Sequence, residues 1–301
     1  MIRLGIDLGG TAIKYGLAEE GRLLGTGQIP TPLEEGYEAV LEAILRAGKE
    51  IMETAEAEEI GLAVPGLIDL REGRILYSNN FAWENRHIAR DLARLFHRPV
   101  RIANDAQAAA LGEALYGAGK GYGRVAMITI GTGVGGGFVR NGEPEEDLYG
   151  GMAFIFGHML YMKNGRRCNC GRTGCYEAYA SAGALERDYR ERTGRGNLLS
   201  AKEIFEVVSE DACAREAVSA FSAALGDLAA DIANALRPEI LVVGGGVSGS
   251  AELFLPAVRE GLAEAYGAGF APVKAAAAVL GNRAGILGAA SLRTKAHRGE
   301  D

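Results

Sequence analysis

Four cysteines in 301 residues, three of them between Cys168 and Cys175 and the fourth alone at Cys213, cannot make a disulfide framework. Proline is equally sparse, at eight, and no low-complexity segment interrupts the chain, so a boundary near residue 115 is expected to be a hinge and not a tether. No apolar run approaches the ~18 residues a membrane helix needs. Basic blocks are also missing and the net charge is -7, which argues against a nucleic-acid partner. The chain opens on the strand-like Ile2-Arg3-Leu4-Gly5-Ile6, and neither a signal peptide nor an appended DNA-reading module is expected before it. Apolar residues at 48% and charged residues at 24% are ordinary for a globular protein. Glycine is the excess: 44 residues, about twice the usual share. These features predict a soluble, cytoplasmic, glycine-rich enzyme.

Two segments share one design. The apolar Leu4 and Ile6 lead into Asp7-Leu8-Gly9-Gly10-Thr11 and out through Ile13, Tyr15 and Leu17. Likewise Val125–Ile130 leads into Gly131-Thr132-Gly133 and out through Phe138-Val139 to the turn Asn141-Gly142. Each reads as a β-hairpin with a Gly/Thr-rich connection, and the duplication predicts two related α/β halves facing each other across a cleft. Helical signals lie between them. Tyr37, Val40, Leu41, Ile44 and Leu45 form a one-sided stripe. Asn104 or Asp105 caps a helix start, Ser200 and Glu203 form a capping box, and an Ala-rich helix from Asp211 stops before Pro238. Ile240–Val243 reads as a buried strand ahead of Gly244-Gly245-Gly246. Alternating strands and helices indicate α/β architecture with a mixed sheet in each half.

Glycines without Cβ atoms let backbone N–H groups approach a phosphate, so Gly9, Gly10 and Thr11 are candidate phosphate ligands, with Asp7 placed to hold Mg²⁺ through water. A plain hairpin turn would use the same residues. Gly131-Thr132-Gly133-Val134-Gly135-Gly136 also fits G-x-G-x-x-G, but a dinucleotide site needs a helix next, and Phe138-Val139 reads as a strand. A second phosphate turn is the remaining reading. Gly244, Gly245 and Gly246 fit either an adenine-flanking surface or an ordinary strand-to-helix connection. Cys168-x-Cys170-x4-Cys175 with His158 upstream supplies three sulfurs and an imidazole, the donor set of a closed structural zinc site. Cys213 is expected in the core.

These motifs, with Pro65-Gly66-Leu-Ile-Asp69, Ser78-Asn79-Asn80, Asn104-Asp105-Ala106, Gly157-His158, Cys175-Tyr-Glu177 and Ala284-Gly285-Ile-Leu-Gly288, resemble the ROK sugar kinases over essentially the whole chain. The resemblance implies an actin-like, ribonuclease-H-like α/β fold: a small domain of 1–115 plus 286–301 and a large one of 116–285 carrying the zinc loop. It also implies ATP-dependent phosphorylation of a hexose, glucose-like and at O6, with Asp105 as catalytic base, and ATP, Mg²⁺ and structural Zn²⁺ as the groups involved. Asn80, Asn104, Asp105, His158 and Glu177 are the implied sugar ligands, and a homodimer or homotetramer the implied assembly. Transcriptional repressors of the family carry an added helix-turn-helix, which is not expected here.

The sequence departs from the family at one place. Where the family has Gly-Glu-x-Gly-His, this chain has Phe154-Ile155-Phe156-Gly157-His158. Ile155 offers no acceptor to a sugar hydroxyl, a loss of about 1–3 kcal/mol in a closed pocket, equivalent to roughly one to two decades of turnover. Phe154 is expected to block a backbone conformation open only to glycine. Altered substrate preference, a degenerate kinase that binds without turnover and a deliberately altered chain are all compatible with this. The acidic run Glu143–Asp147 is expected to be a solvated surface loop.

Overall fold

A computed structural model describes residues 1–146, 154–194, 199–265 and 272–293. They divide into two compact units: Met1–Gly117 with the described parts of Gly142–Ala153 and Asn282–Asp301, and Ala118–Asn141 with the described parts of Phe154–Gly281. The first break falls two residues beyond the expected 115. Residues 142–146 and 282–285, expected in the second unit, belong to the first.

In the first unit, strands β1 (Ile2–Leu8), β2 (Ala12–Glu19), β3 (Arg22–Pro30), β4 (Glu59–Val64) and β8 (Val100–Asn104) form a sheet in the order β3-β2-β1-β4-β8. β1 runs antiparallel to β2 and parallel to β4, which is parallel to β8. Helix α1 (Tyr37–Met52) buries Tyr37, Val40, Leu41 and Ile44, the stripe visible in the sequence. β5 (Leu67–Asp69), β6 (Arg74–Ser78) and β7 (Trp83–Arg86) make a small antiparallel sheet ahead of helix α2 (Ile88–Phe96). Tyr37 joins these pieces: its ring meets Trp83 edge-on at 5.0 Å and its hydroxyl donates to Asp91 at 2.9 Å.

Helix α3 (Asp105–Tyr116) follows β8 directly. The two-residue strand β11 (Glu143–Pro144) packs on it, and the Gln107 amide donates to the Glu145 carbonyl at 3.4 Å. Pro144, Glu145 and Glu146 are half-buried, against the expectation of a solvated loop; Asp147 lies outside the described residues.

The second unit repeats the plan. Strands β9 (Arg124–Ile130) and β10 (Val134–Arg140) are antiparallel, and β12 (Ile240–Gly245) is parallel to β9 and to β13 (Lys274–Ala277). Short α4 (Glu177–Ala180) precedes α5 (Ala182–Thr193), α6 (Ala201–Glu206), α7 (Ala212–Leu236) and α8 (Ala251–Ala265). Ser200 and Glu203 complete the capping box, and Asp211 caps α7. Pro238 cannot continue that helix, which ends with Arg237 in the left-handed region. Phe205, Phe221 and Phe254 meet edge-on or tilted within the core. Cys213 is half-buried beside it. Among the described residues, no helix is long and apolar enough to cross a membrane.

Helix α9 (Arg283–Ala290) closes the first unit by backbone-to-backbone approach. A Cβ on Gly288 would fall 1.7 Å from the Ala108 carbonyl oxygen of α3, and one on Gly61 would fall 1.8 Å from that of Ala289. Gly288→Ala should therefore cost about 2–3 kcal/mol, read as a lower urea midpoint, whereas Gly249→Ala, whose Cβ would meet open space, should leave the midpoint unchanged.

Candidate active site and metal centre

In the first unit the β1–β2 hairpin places Asp7 opposite Lys14 and leaves Gly10 and Thr11 exposed at its tip. The Gly9 N–H is not free for a phosphate: it donates to the Ala12 carbonyl at 3.0 Å, while the Thr31 hydroxyl donates to the Gly9 carbonyl at 2.6 Å. Donors for an anion must come from Gly10 and Thr11. Behind the turn, burial pushes the Asp7 carboxyl up to about 6, with Lys14 opposing the shift and Asp105 adding to it. A Cβ on Gly285 of α9 would touch the Asp7 carboxyl at 2.8 Å, so only glycine leaves that side chain its place.

Asp105 is the first residue of α3, and Asn104 is the cap. The Asn104 side-chain oxygen accepts from the Ala106 and Gln107 N–H groups, at 2.9 and 3.3 Å, and its amide donates to the Gly66 carbonyl at 3.2 Å. One Asp105 oxygen accepts from the Ala106 N–H at 2.9 Å. Burial nevertheless holds the Asp105 carboxyl above the usual carboxylate range, because it outweighs the backbone N–H bonds and the Asn104 amide. The first unit thus brings Asp7, Asn104 and Asp105 into one electrostatic neighbourhood. Asn80 lies in the exposed turn after β6.

In the second unit the β9–β10 turn uses the same device. Its first glycine, Gly131, donates to the Gly133 carbonyl at 2.9 Å, and Thr132 is exposed at the tip. β10 follows directly, so the requirement of a helix after G-x-G-x-x-G is not met. Gly244 and Gly245 pair with Thr129 and Ile130, which brings the third glycine cluster to the strand ends that carry this turn.

The metal-binding candidates converge. The ligand atoms of His158, Cys168, Cys170 and Cys175 lie within 4.8 Å of one another. Cys170 Sγ and Cys175 Sγ are 3.7 Å apart, as are Cys168 Sγ and His158 Nδ1. Zn–S bonds of about 2.3 Å in a tetrahedron require S···S edges of about 3.8 Å, so this donor set fits zinc. Burial pushes the Cys168 thiol up to about 12. The loop is braced by Arg166, whose guanidinium pairs with Asp188 at 2.7 Å and lies over the Tyr179 ring. With four protein ligands and no open position, such a centre is structural.

Glu177, two residues after Cys175, has a contact that its sequence position does not reveal. Its Oε2 accepts from the Val134 N–H at 3.0 Å, while the Cys168 thiol points at Oε1 from 3.4 Å. Ile155 is 39% exposed and shares with His158, Met159, Leu160, Cys170 and Arg172 a depression of about 470 Å³. Phe154 packs on Phe138 and Phe156, at 5.5 and 5.8 Å between ring centres.

The zinc fit makes a direct prediction. Protein purified without chelator should carry one zinc per chain by elemental analysis, and metal binding should release protons as thiols become thiolates. Cys168→Ser and Cys175→Ser should lose the metal and lower the melting temperature. A melting temperature unmoved by chelation would remove zinc from the structural account.

Against this geometry the comparisons with known proteins are consistent. The ROK family model matches residues 3–296. A glucokinase of Thermotoga maritima is 34% identical over 96% of each chain. The crystal structure of a ROK hexokinase from Thermus thermophilus superposes with a TM-score of 0.84 at 35% identity, covering 97% of each chain. A ROK family glucokinase from Streptomyces griseus, in complex with glucose and AMPPNP, matches with a TM-score of 0.84 at 32% identity, covering 96% of this chain and 98% of its own. The fold is that of these actin-like ATPases, and with glycine turns, carboxylates and Cys/His loop all in place, the chain belongs to the ROK family as a sugar kinase.

Proposed function

We propose that this sugar kinase transfers the γ-phosphoryl group of ATP to a hexose hydroxyl, glucose-like and at O6, with Asp105 as general base. The observation that carries the reading is the state of Asp105. A carboxyl lifted by burial above its ordinary pKa, and fixed at a helix start by the Asn104 cap, is a stronger base than an ordinary aspartate and is suited to accept an alcohol proton. Loose phosphoryl-transfer transition states need positioning and charge neutralisation more than covalent help. Gly10, Thr11, Thr132 and Gly133 offer the donors for phosphate oxygens, and Gly244–Gly246 the flat surface for the base of the nucleotide.

Asp7 suits Mg²⁺: a half-buried carboxylate with a second acid, Asp105, close enough to raise its pKa gains from a divalent cation. Bound there, Mg²⁺ would neutralise charge on the phosphates. Asn104 and Asp105 would hold sugar hydroxyls. So would His158, through Nε2, since Nδ1 is the nitrogen turned toward the sulfurs. A homodimer or homotetramer in the cytoplasm, acting at the head of sugar catabolism, completes the reading.

A second reading, a kinase that binds nucleotide or sugar with little turnover, is favoured by Ile155. Its apolar side chain stands on the rim of the depression shared with His158, where a hydroxyl would need an acceptor. The two readings separate by ADP release across glucose, mannose, allose, fructose and N-acetylmannosamine. Turnover with at least one sugar is expected. None at saturating ATP and Mg²⁺ would leave only the second.

Asp105→Asn should lower turnover by about 10²–10⁴-fold. Because the base acts deprotonated and its pKa is raised, wild-type kcat/KM should fall as pH drops through a value above the ordinary 3.8 of an aspartate. An acid limb at or below 3.8 would reassign the base. Phe154→Gly combined with Ile155→Glu should raise glucose turnover by roughly 10- to 100-fold. An unchanged rate would show that these two positions do not limit the reaction.

A further inference from the structure

The backbone of Val134, the first residue after the Gly131–Gly133 turn, is held at its N–H and at its carbonyl by segments that the metal ligands anchor. On its amide side the Val134 N–H donates to Glu177 Oε2 at 3.0 Å, and Glu177 is two residues beyond the ligand Cys175. On its carbonyl side Gly157, next to the ligand His158, approaches so closely that a Cβ there would fall 2.2 Å from the Val134 oxygen. The same connection reaches the turn again five residues after Glu177, where the Ala182 N–H donates to the Gly131 carbonyl at 3.0 Å. A Cβ on Gly133 would meet Glu177 Oε2 at 2.4 Å, so carboxylate and turn are in full contact.

We propose that Glu177 is a positioning residue that couples metal occupancy at the Cys/His loop to phosphate binding at the Gly131–Gly133 turn. The inference rests on the phosphate-holding role proposed for that turn. Four ligands on one metal fix His158 and Cys175 relative to each other, and so fix Gly157 and Glu177, the two contacts that hold the Val134 backbone on either side of its Cα. Release of the metal frees both contacts together, and the N–H groups of Thr132 and Gly133 lose their fixed direction. The Glu177 carboxylate retains acceptor capacity for a sugar hydroxyl, so a contact with sugar is compatible with this role.

The test uses the full chain, zinc-loaded or chelator-stripped, as wild type, Glu177→Ala and Glu177→Gln. Hydrogen exchange at the Val134 amide and AMPPNP affinity by calorimetry are measured without sugar, so that no sugar contact of Glu177 contributes. Stripping wild type should speed exchange at Val134 and weaken AMPPNP about five- to tenfold, the scale of one ordinary hydrogen bond. Zinc-loaded Glu177→Ala should reproduce both changes, and stripping it should add less than about twofold, because the two perturbations act through one contact. Glu177→Gln, which retains a carbonyl acceptor, should stay within about threefold of wild type. In turnover, Glu177→Ala should raise the KM for ATP more than it lowers kcat.

Unchanged Val134 exchange in zinc-loaded Glu177→Ala overturns the proposal. So does a stripping effect on AMPPNP that is as large in Glu177→Ala as in wild type. If stripping unfolds the chain, the zinc-loaded variants decide alone. Should zinc-loaded wild type bind no AMPPNP, the kinase reading fails, and the exchange measurements judge the coupling by themselves.

Discussion

The chemistry assigned to the first unit depends on the cap of α3. Asn104 satisfies two N–H groups of the helix start and reaches back to the Gly66 carbonyl, tying the end of β8 to the segment after β4. Asp105 is thereby set at the first helical position, where the helix dipole and the Ala106 N–H favour its charge and burial opposes it. The balance leaves a carboxyl that is fixed in direction yet raised in basicity. Asp7 sits in the same neighbourhood with a raised pKa of its own, so the unit holds negative charge at some cost in stability until a cation or proton answers it.

The two glycine turns solve one problem in the same way. In each, the first glycine closes the turn with its own N–H, to Ala12 in one case and to Gly133 in the other, and the residues after it form the tip. What differs is the support. The Gly9 turn is backed by Thr31 and, through Asp7, by the crowded helix α9, whereas the Gly131 turn is backed by the loop that holds the cysteines and histidine. The aromatic packing of Phe154 on Phe138 and Phe156 adds to the second support.

Much of this was legible along the chain because it is local. The helix at 37–52, the capping box at Ser200, the duplicated hairpins and the cysteine spacing all follow from residues within a few positions of one another. The illegible parts are contacts between distant segments. Nothing near Glu177 announces its bond to Val134, and nothing near Glu143 announces that its strand packs on α3. For the same reason the first unit resumes at Asn282 and not at Ile286: Gly281-Asn282 marks a turn there, but only packing assigns the residues after it to the first unit. The assumption that Gly9 donates to phosphate failed because a turn must satisfy its own backbone before it serves a ligand.

The closure of the first unit by α9 has a consequence for biosynthesis. β1 and β4 leave the ribosome well before Ile286 and Ala289, whose carbonyls Gly5 and Gly61 are shaped to receive. The second unit, whose described segments end at residue 281, has all its described strands before that helix exists. The early sheet therefore waits with one apolar surface bare while the later unit assembles. A chain terminated short of residue 283 would leave that surface open to aggregation and to chaperones, however well the rest had formed.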